Sequence, residues 1–242
     1  MPPWLAQAAA VWLPLSVLAA LYVAADVALP RHRPPMRVMA FVWPLTVLYW
    51  GPVGLIFYFW FGRANRASSH ETHKTHDAHT EHRGQHETAS PPSVPSRPMW
   101  QAVFEGAAHC GAGCALGDFI GDWLAYGTDF RPWGSVFAGK VVVGFVLAYA
   151  LGIVFQFFAI APMRGLGVRE GLVQAIKADT LSLVAYEVGM FVVMWFTSHA
   201  FTGLTPKTLA YWLPMQWAML AGFATTYPVN VWLIARGIKE RM

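Results

Sequence analysis

Apolar residues run along this chain for twenty or more positions at a time. Six such runs divide it: residues 4–29, 36–61, 99–125, 135–161, 171–198 and 209–235. A helix of about 20 mostly apolar residues crosses a bilayer, so each run is predicted to be a transmembrane helix. A closed barrel would show alternating segments of about ten residues, and none occurs. The start, MPPWLAQAAAVW, has no basic stretch before its apolar run, so it is expected to be a first span and not a cleaved signal peptide. The predicted fold class is all-α, a polytopic helical membrane protein with six transmembrane helices.

Between the second and third runs the pattern stops. The segment RANRASSHETHKTHDAHTEHRGQHETASPPSVPSRP has no apolar residue larger than Ala before Val94. It cannot bury a core, so disorder is the expectation. The chain is therefore read as a two-span membrane block over 1–62, a His-rich linker over 63–98, and a four-span membrane domain over 99–242. Within the linker His70, His73, His76, His79 and His82 recur every third residue, followed by His86. Imidazole is a common ligand for zinc, copper and nickel. The tract reads as a loose metal buffer, as a solvated low-complexity linker, or as a pH sensor.

Composition agrees with the pattern. The 242 residues are 56% hydrophobic and 12% charged, against about 25% charged in a soluble domain. A soluble enzyme, a disordered chain and a fibrous protein are excluded. Two cysteines cannot staple a chain of this length. The net charge of +4 suits anionic lipid headgroups. The basic residues are dispersed at run edges, so the expected partner is the lipid bilayer, with no nucleic acid and room for a membrane protein partner. With the N-terminus inside, eleven Lys and Arg fall on the cytoplasmic side and six on the other. That asymmetry favours a multi-pass inner (plasma) membrane protein with both termini and the His-rich linker in the cytoplasm. The Arg31, Arg33, Arg37 cluster runs against it.

Candidate chemistry lies in the third to sixth runs. Gly113, Gly117 and Gly121 repeat at four-residue spacing in the third, and Gly144, Ala148 and Gly152 answer in the fourth. Small residues so spaced let helices touch closely in lipid, so these two are expected to pair. Beside the glycine face runs a stripe of Cys110, Cys114, Asp118 and Asp122, again four apart and on one side of the helix. Glu105 and His109 form a further such pair. The fifth run carries Glu187, Met190 and Met194. The sixth carries Met215, Gln216 and Met219, with Pro214 and Pro228. Each proline frees a carbonyl one turn earlier, and Tyr227, Pro228 and Asn230 suggest a broken helix lining a cavity.

Counting at 1.5 Å per residue places Cys110 and Cys114 about 3 Å either side of the midplane. Asp118 and Asp122 fall about 9 and 15 Å toward the non-cytoplasmic face, with Lys140 at a similar depth of about 12 Å. Lys140 is therefore expected to pair with Asp122 or Asp118, or to snorkel to the headgroups. Carboxylates inside a membrane mark function by default. Thiolate and thioether ligands favour Cu(I). The expected cofactor or cargo is accordingly copper or another transition metal, with Cys110 and Cys114 as central ligands. Met190, Met194, Met215 and Met219 would be relay ligands, His109 would lie nearby, and Asp118 and Asp122 would be mouth carboxylates. The methionines can equally be gap-fillers and the cysteines inert core. Two alternatives stand beside binding or transport of a soft cation. One is a non-catalytic assembly or scaffold protein. The other is a membrane enzyme using Glu105, His109 or Glu187 as acid or base. The C-x3-C spacing is not that of thiol oxidoreductases.

The runs HCGAGCALGD (109–118), APMRGLGVREG (161–171), KADTLSLVAYEVGM (177–190), MQWAML (215–220) and YPVNVWLI (227–234) resemble the bacterial membrane family known as domain of unknown function 4396. The resemblance covers about residues 99–242. The matching positions are Cys110, Cys114, Gly117, Asp118, Met163, Arg164, Asp179, Met190, Met215, Gln216, Pro228 and Asn230. The resemblance implies a four-helix membrane domain and brings no activity with it.

Overall fold

The computed structural model describes residues 2–34, 36–63 and 98–239. The histidine tract, His70, His73, His76, His79, His82 and His86, lies outside the described residues, as does the side chain of Met163. Every regular element described is helical. The helices are α1 (Pro3–Ala28), α2 (Met39–Trp50), α3 (Gly54–Phe57), α4 (Met99–Thr128), α5 (Val136–Arg164), α6 (Val168–Ala200) and α7 (Leu209–Ala235). A 3-10 turn at Gly51–Val53 joins α2 to α3, and a π turn at Tyr58–Gly62 follows. Five helical segments are long and apolar enough to cross a membrane: Pro3–Ala28, Met39–Gly62, Val136–Ala161, Val168–Ala200 and Leu209–Ala235. Their outward faces are apolar, with Val11, Phe41, Val146, Phe158 and Phe196 all exposed. An apolar exterior of this kind suits lipid and not water.

The remaining long helix, α4, has 30 residues, about 45 Å of rise. It is less apolar because it faces protein. From Ala102 to Ala115 every residue on it is buried, between α5, α6, α7 and α2. A helix wrapped by others does not need a lipid-compatible surface, and so it can carry Glu105, His109, Asp118 and Asp122, all buried.

The glycine seam forms as its spacing predicts. A Cβ on Gly113 would lie 2.6 Å from the Gly152 Cα, and one on Gly121 would lie 2.8 Å from the Gly144 Cα. One on Gly117 would overlap the Ala148 backbone. The helices are antiparallel, and each four-residue step forward on α4 meets a four-residue step back on α5. A second close approach joins α6 to α7, where a Cβ on Gly222 would lie 2.7 Å from the Tyr186 carbonyl oxygen. There Thr225 Oγ1 donates to the Ala185 carbonyl at 2.7 Å and Thr226 Oγ1 to the Ser182 carbonyl at 2.9 Å.

The first two runs pack on the other four. Pro52 has no N–H to offer the Leu48 carbonyl one turn back. Gln216 of α7 supplies the missing donor through Nε2 at 2.7 Å, while its Oε1 accepts from Trp12 Nε1 of α1 at 3.0 Å. At the other end of this pair, Asp26 accepts from Tyr58 Oη at 2.6 Å and from Arg63 through Nη2 at 2.7 Å and Nε at 2.9 Å. Aromatic rings fill the space against α4: Phe104 packs on Phe57, Trp50 and Phe223. The expected break in the last helix is absent. α7 runs through Pro214 and Pro228 without interruption, and Asn230 is held inside the bundle by Ser182 and Thr226.

Candidate functional site

With one face of α4 pressed on α5, the adjoining stripe is turned into the centre of the bundle. Cys110 and Cys114 are both free and fully buried. Their thiols lie within interaction distance of each other, and that of Cys114 faces Glu187 of α6. Glu187 is 1% exposed, and neither of its carboxyl oxygens has a hydrogen bond of good geometry. Gly111 leaves room beside the thiols for Tyr49 of α2 and Tyr186 of α6, whose hydroxyls are also unpartnered. Met190, Met194, Met215 and Met219 are all buried in the same core. Met215 and Met219 also line an apolar cavity of about 430 Å3 between α1, α2, α4 and α7.

Toward one end, Asp118 fits a gap that Gly144 leaves open, since a Cβ there would lie 2.7 Å from Asp118 Oδ1. Asp118 Oδ2 has no partner. One turn further on, Asp122 is engaged. Tyr211 Oη of α7 donates to its Oδ2 at 2.5 Å, and Lys140 Nζ lies 3.9 Å from its Oδ1. Lys140 also donates to Tyr211 Oη at 3.0 Å and sits over the same ring. The expected contact between Lys140 and an acid of α4 is therefore present, with a tyrosine closing the triangle. Beyond Lys140 a cavity of about 670 Å3 opens, lined in part by Asp129, Arg131 and Lys207.

Toward the other end, Lys239, four residues past the end of α7, folds back into the bundle. Its Nζ lies 2.6 Å from Asp179 Oδ1 of α6, with both side chains almost fully buried. It also donates to the Gly106 carbonyl at 3.4 Å. His109 and Gln156 stand one further step along the glycine seam, by the register that pairs Gly113 with Gly152. Both are 1% exposed, and no nitrogen or oxygen of either side chain makes a hydrogen bond of good geometry.

The structure thus brings together Cys110, Cys114, Asp118, Glu187 and the four methionines in one core. It takes Asp122 out of the free acids. Among the described residues no group of three or more His, Cys, Asp and Glu converges as a metal cage would require. Sequence reasoning missed two partners, Tyr211 for Asp122 and Lys239 for Asp179, and it missed Gln156, buried at the register position opposite His109. Gln156 could have been found, because it continues the four-residue series Gly144, Ala148, Gly152.

Apolar helices with a lipid-compatible exterior and a polar interior define a multi-pass helical membrane protein. A family model described as Domain of unknown function (DUF4396) matches residues 99–239, and the chain belongs to that family. No curated protein and no solved structure matches the chain.

Proposed function

We propose that this protein is embedded in the inner membrane and binds or moves a soft cation, Cu(I), through its four-helix domain. The observation that carries this reading is the pair of adjacent, free, fully buried thiols of Cys110 and Cys114. Soft thiolates select Cu(I) among biological cations, and Cu(I) accepts two-coordinate thiolate binding, so a pair suffices. Met190, Met194, Met215 and Met219 supply thioethers in the same core. α4 crosses as well, since its 30 residues exceed the span requirement and its polar groups are shielded by its neighbours. The lysine and arginine asymmetry puts the His70–His86 tract in the cytoplasm, where the tract would buffer the same metal.

The test is the metal content of the full chain purified in detergent after growth with copper. Mass spectrometry is expected to find copper in stoichiometric amount, and Cys110→Ser with Cys114→Ser to lose the share that remains after the linker histidines are replaced. Absence of copper from the wild-type chain, or its retention without both thiols, overturns the reading.

A further inference from the structure

The second apolar run does not pass straight through the bundle. As one helix, residues 39–62 would rise about 36 Å and part Trp43 from Gly62 by about 28 Å. Instead, a Cβ on Gly62 would overlap the Trp43 ring, and the rings of Trp43 and Tyr58 lie 5.6 Å apart. The chain reverses at Gly51, at φ +64°, where a glycine is the residue most readily placed. A Cβ there would lie 2.7 Å from the Trp12 ring and 3.0 Å from Ser16 Oγ, level with the middle of α1. Both ends of the segment meet the last turns of α1. Tyr58 and Arg63 bind Asp26, while Ala40 and Phe41 line a space shared with Val27 and Ala28. Each arm is short. α2 has 12 residues, about 18 Å of rise, against a hydrocarbon layer of about 30 Å. Irregular backbone at membrane depth is tolerated where protein covers it, and Gln216 does so at the Leu48 carbonyl.

Past the tip, toward the start of α1, the arms end and a space remains. This is the cavity of about 430 Å3, walled by Leu13 and Val17 of α1, Leu116 and Phe119 of α4, and Trp212 and Met219 of α7. The polar atoms of Gln216 and Trp212 on its wall are already bonded. A water needs two or more polar partners, and apolar cavities stay dry. Val17, Phe119 and Leu209, which line it, are also exposed on the outer surface of the bundle. The space therefore opens sideways, toward lipid.

We propose that residues 39–62 form a re-entrant hairpin, entering and leaving the membrane on one face, and that the cavity beyond its tip is a binding site for the acyl chain of a lipid from the opposite leaflet.

The six crossings expected from the apolar runs thereby become five, and the start of α1 faces away from the end of α7. Charge supports this arrangement. With six crossings the Lys and Arg divide eleven to six, and Arg31, Arg33 and Arg37 stand against the rule that basic residues stay inside. With the hairpin those three join the majority. Only Arg131, Lys140 and Lys207 of the 17 Lys and Arg then belong to the face of the α1 start. An acyl chain suits the cavity because an unfilled apolar wall forfeits its dispersion contacts, and the leaflet supplies hydrocarbon at the opening. The inference holds whether or not the thiols bind copper.

The test has two readouts on the full chain. Single added cysteines are labelled with a membrane-impermeant maleimide in inverted and in right-side-out vesicles. Arg37→Cys and Ala64→Cys are expected to label from one side of the membrane, and Pro2→Cys from the other. Labelling of the first two variants from opposite sides overturns the hairpin. The protein is then placed in liposomes containing phosphatidylcholine with a photoactivatable diazirine midway along one acyl chain. Labelling is expected at Met215 or Met219, which are nearly buried apart from the cavity they line, and at Val146 on the outer face of α5. Leu116→Trp, which narrows the cavity, is expected to remove the methionine labelling and leave that of Val146. Each variant is first checked for monodisperse elution and wild-type helix content, and Ala115→Phe stands in if Leu116→Trp does not fold. Unlabelled methionines beside a labelled Val146, or labelling unchanged in the folded variant, overturns the lipid site. Copper content, measured separately, decides the thiol reading on its own.

Discussion

Lys239, three residues past the last turn of the final helix's C-cap, reaches into the bundle and holds Asp179 of α6 at 2.6 Å. Gly237, at φ +69°, makes the reversal that turns the chain inward. A left-handed residue at that place is most readily a glycine. The tail is thus a structural part of the domain.

Breaking one half of a buried ion pair leaves an uncompensated charge and costs about 3–5 kcal/mol. Lys239→Met is therefore expected to lower the thermal unfolding midpoint in detergent sharply. Asp179→Leu added to it is expected to recover much of the loss, because two apolar groups replace the pair. A midpoint unmoved by Lys239→Met would show that the tail does not seat there.

Lys140 and Asp122 are coupled across the α4–α5 seam at 3.9 Å, with Tyr211 bonded to both. Lys140→Asp should destabilise the protein, and adding Asp122→Lys should restore part of the loss, a coupling of about 0.5–3 kcal/mol. Tyr211→Phe should cost about 1–3 kcal/mol by leaving a buried acceptor unpaired. Strict additivity of the charge-reversal singles would mean that the two side chains act independently.

The seam itself is testable by size alone. Gly117→Val forces a branched side chain into the Ala148 backbone and is expected to cost about 1–3 kcal/mol or more. Gly127, on the same helix, has nothing within 4 Å of its missing Cβ. Gly127→Ala should therefore be neutral or slightly stabilising. Equal effects at the two positions would reject the close backbone contact.

Cys110 and Cys114 are expected to react slowly with a membrane-permeant alkylating reagent in the folded protein, since both are fully buried. Cu(I) should slow the reaction further, and a chelator should reverse that protection. Identical rates with and without the ion count against a shared thiolate site. Rapid alkylation without metal would instead show that the core opens readily.

Much of the architecture follows from local pattern. Helix lengths come from apolar runs, because a bilayer sets the number of residues a helix needs. The α4–α5 register comes from six small residues at four-residue spacing, because only hydrogen or methyl side chains let two backbones approach so closely. The family model matches residues 99–239, the stretch over which the short motifs lie. The Cys110, Cys114, Asp118, Asp122 stripe is visible for the same reason as the glycines, since a helix repeats its faces nearly every four residues.

The pairing of buried charges was not legible in this way. Lys239 lies 60 residues from Asp179 and Tyr211 lies 89 from Asp122, and no local period relates either pair. Pro228 reads as a break in the sequence, yet α7 stays helical because helix packing and the Ser182, Thr226 and Asn230 bonds hold it. The order of apolar and small residues therefore determined how many long helices form and which two touch along a seam. Which buried acids find a partner, and which keep an unpartnered oxygen, was decided by how α4, α6 and α7 turn toward one another, because a side chain's environment in a membrane bundle is set by neighbours that lie far along the chain.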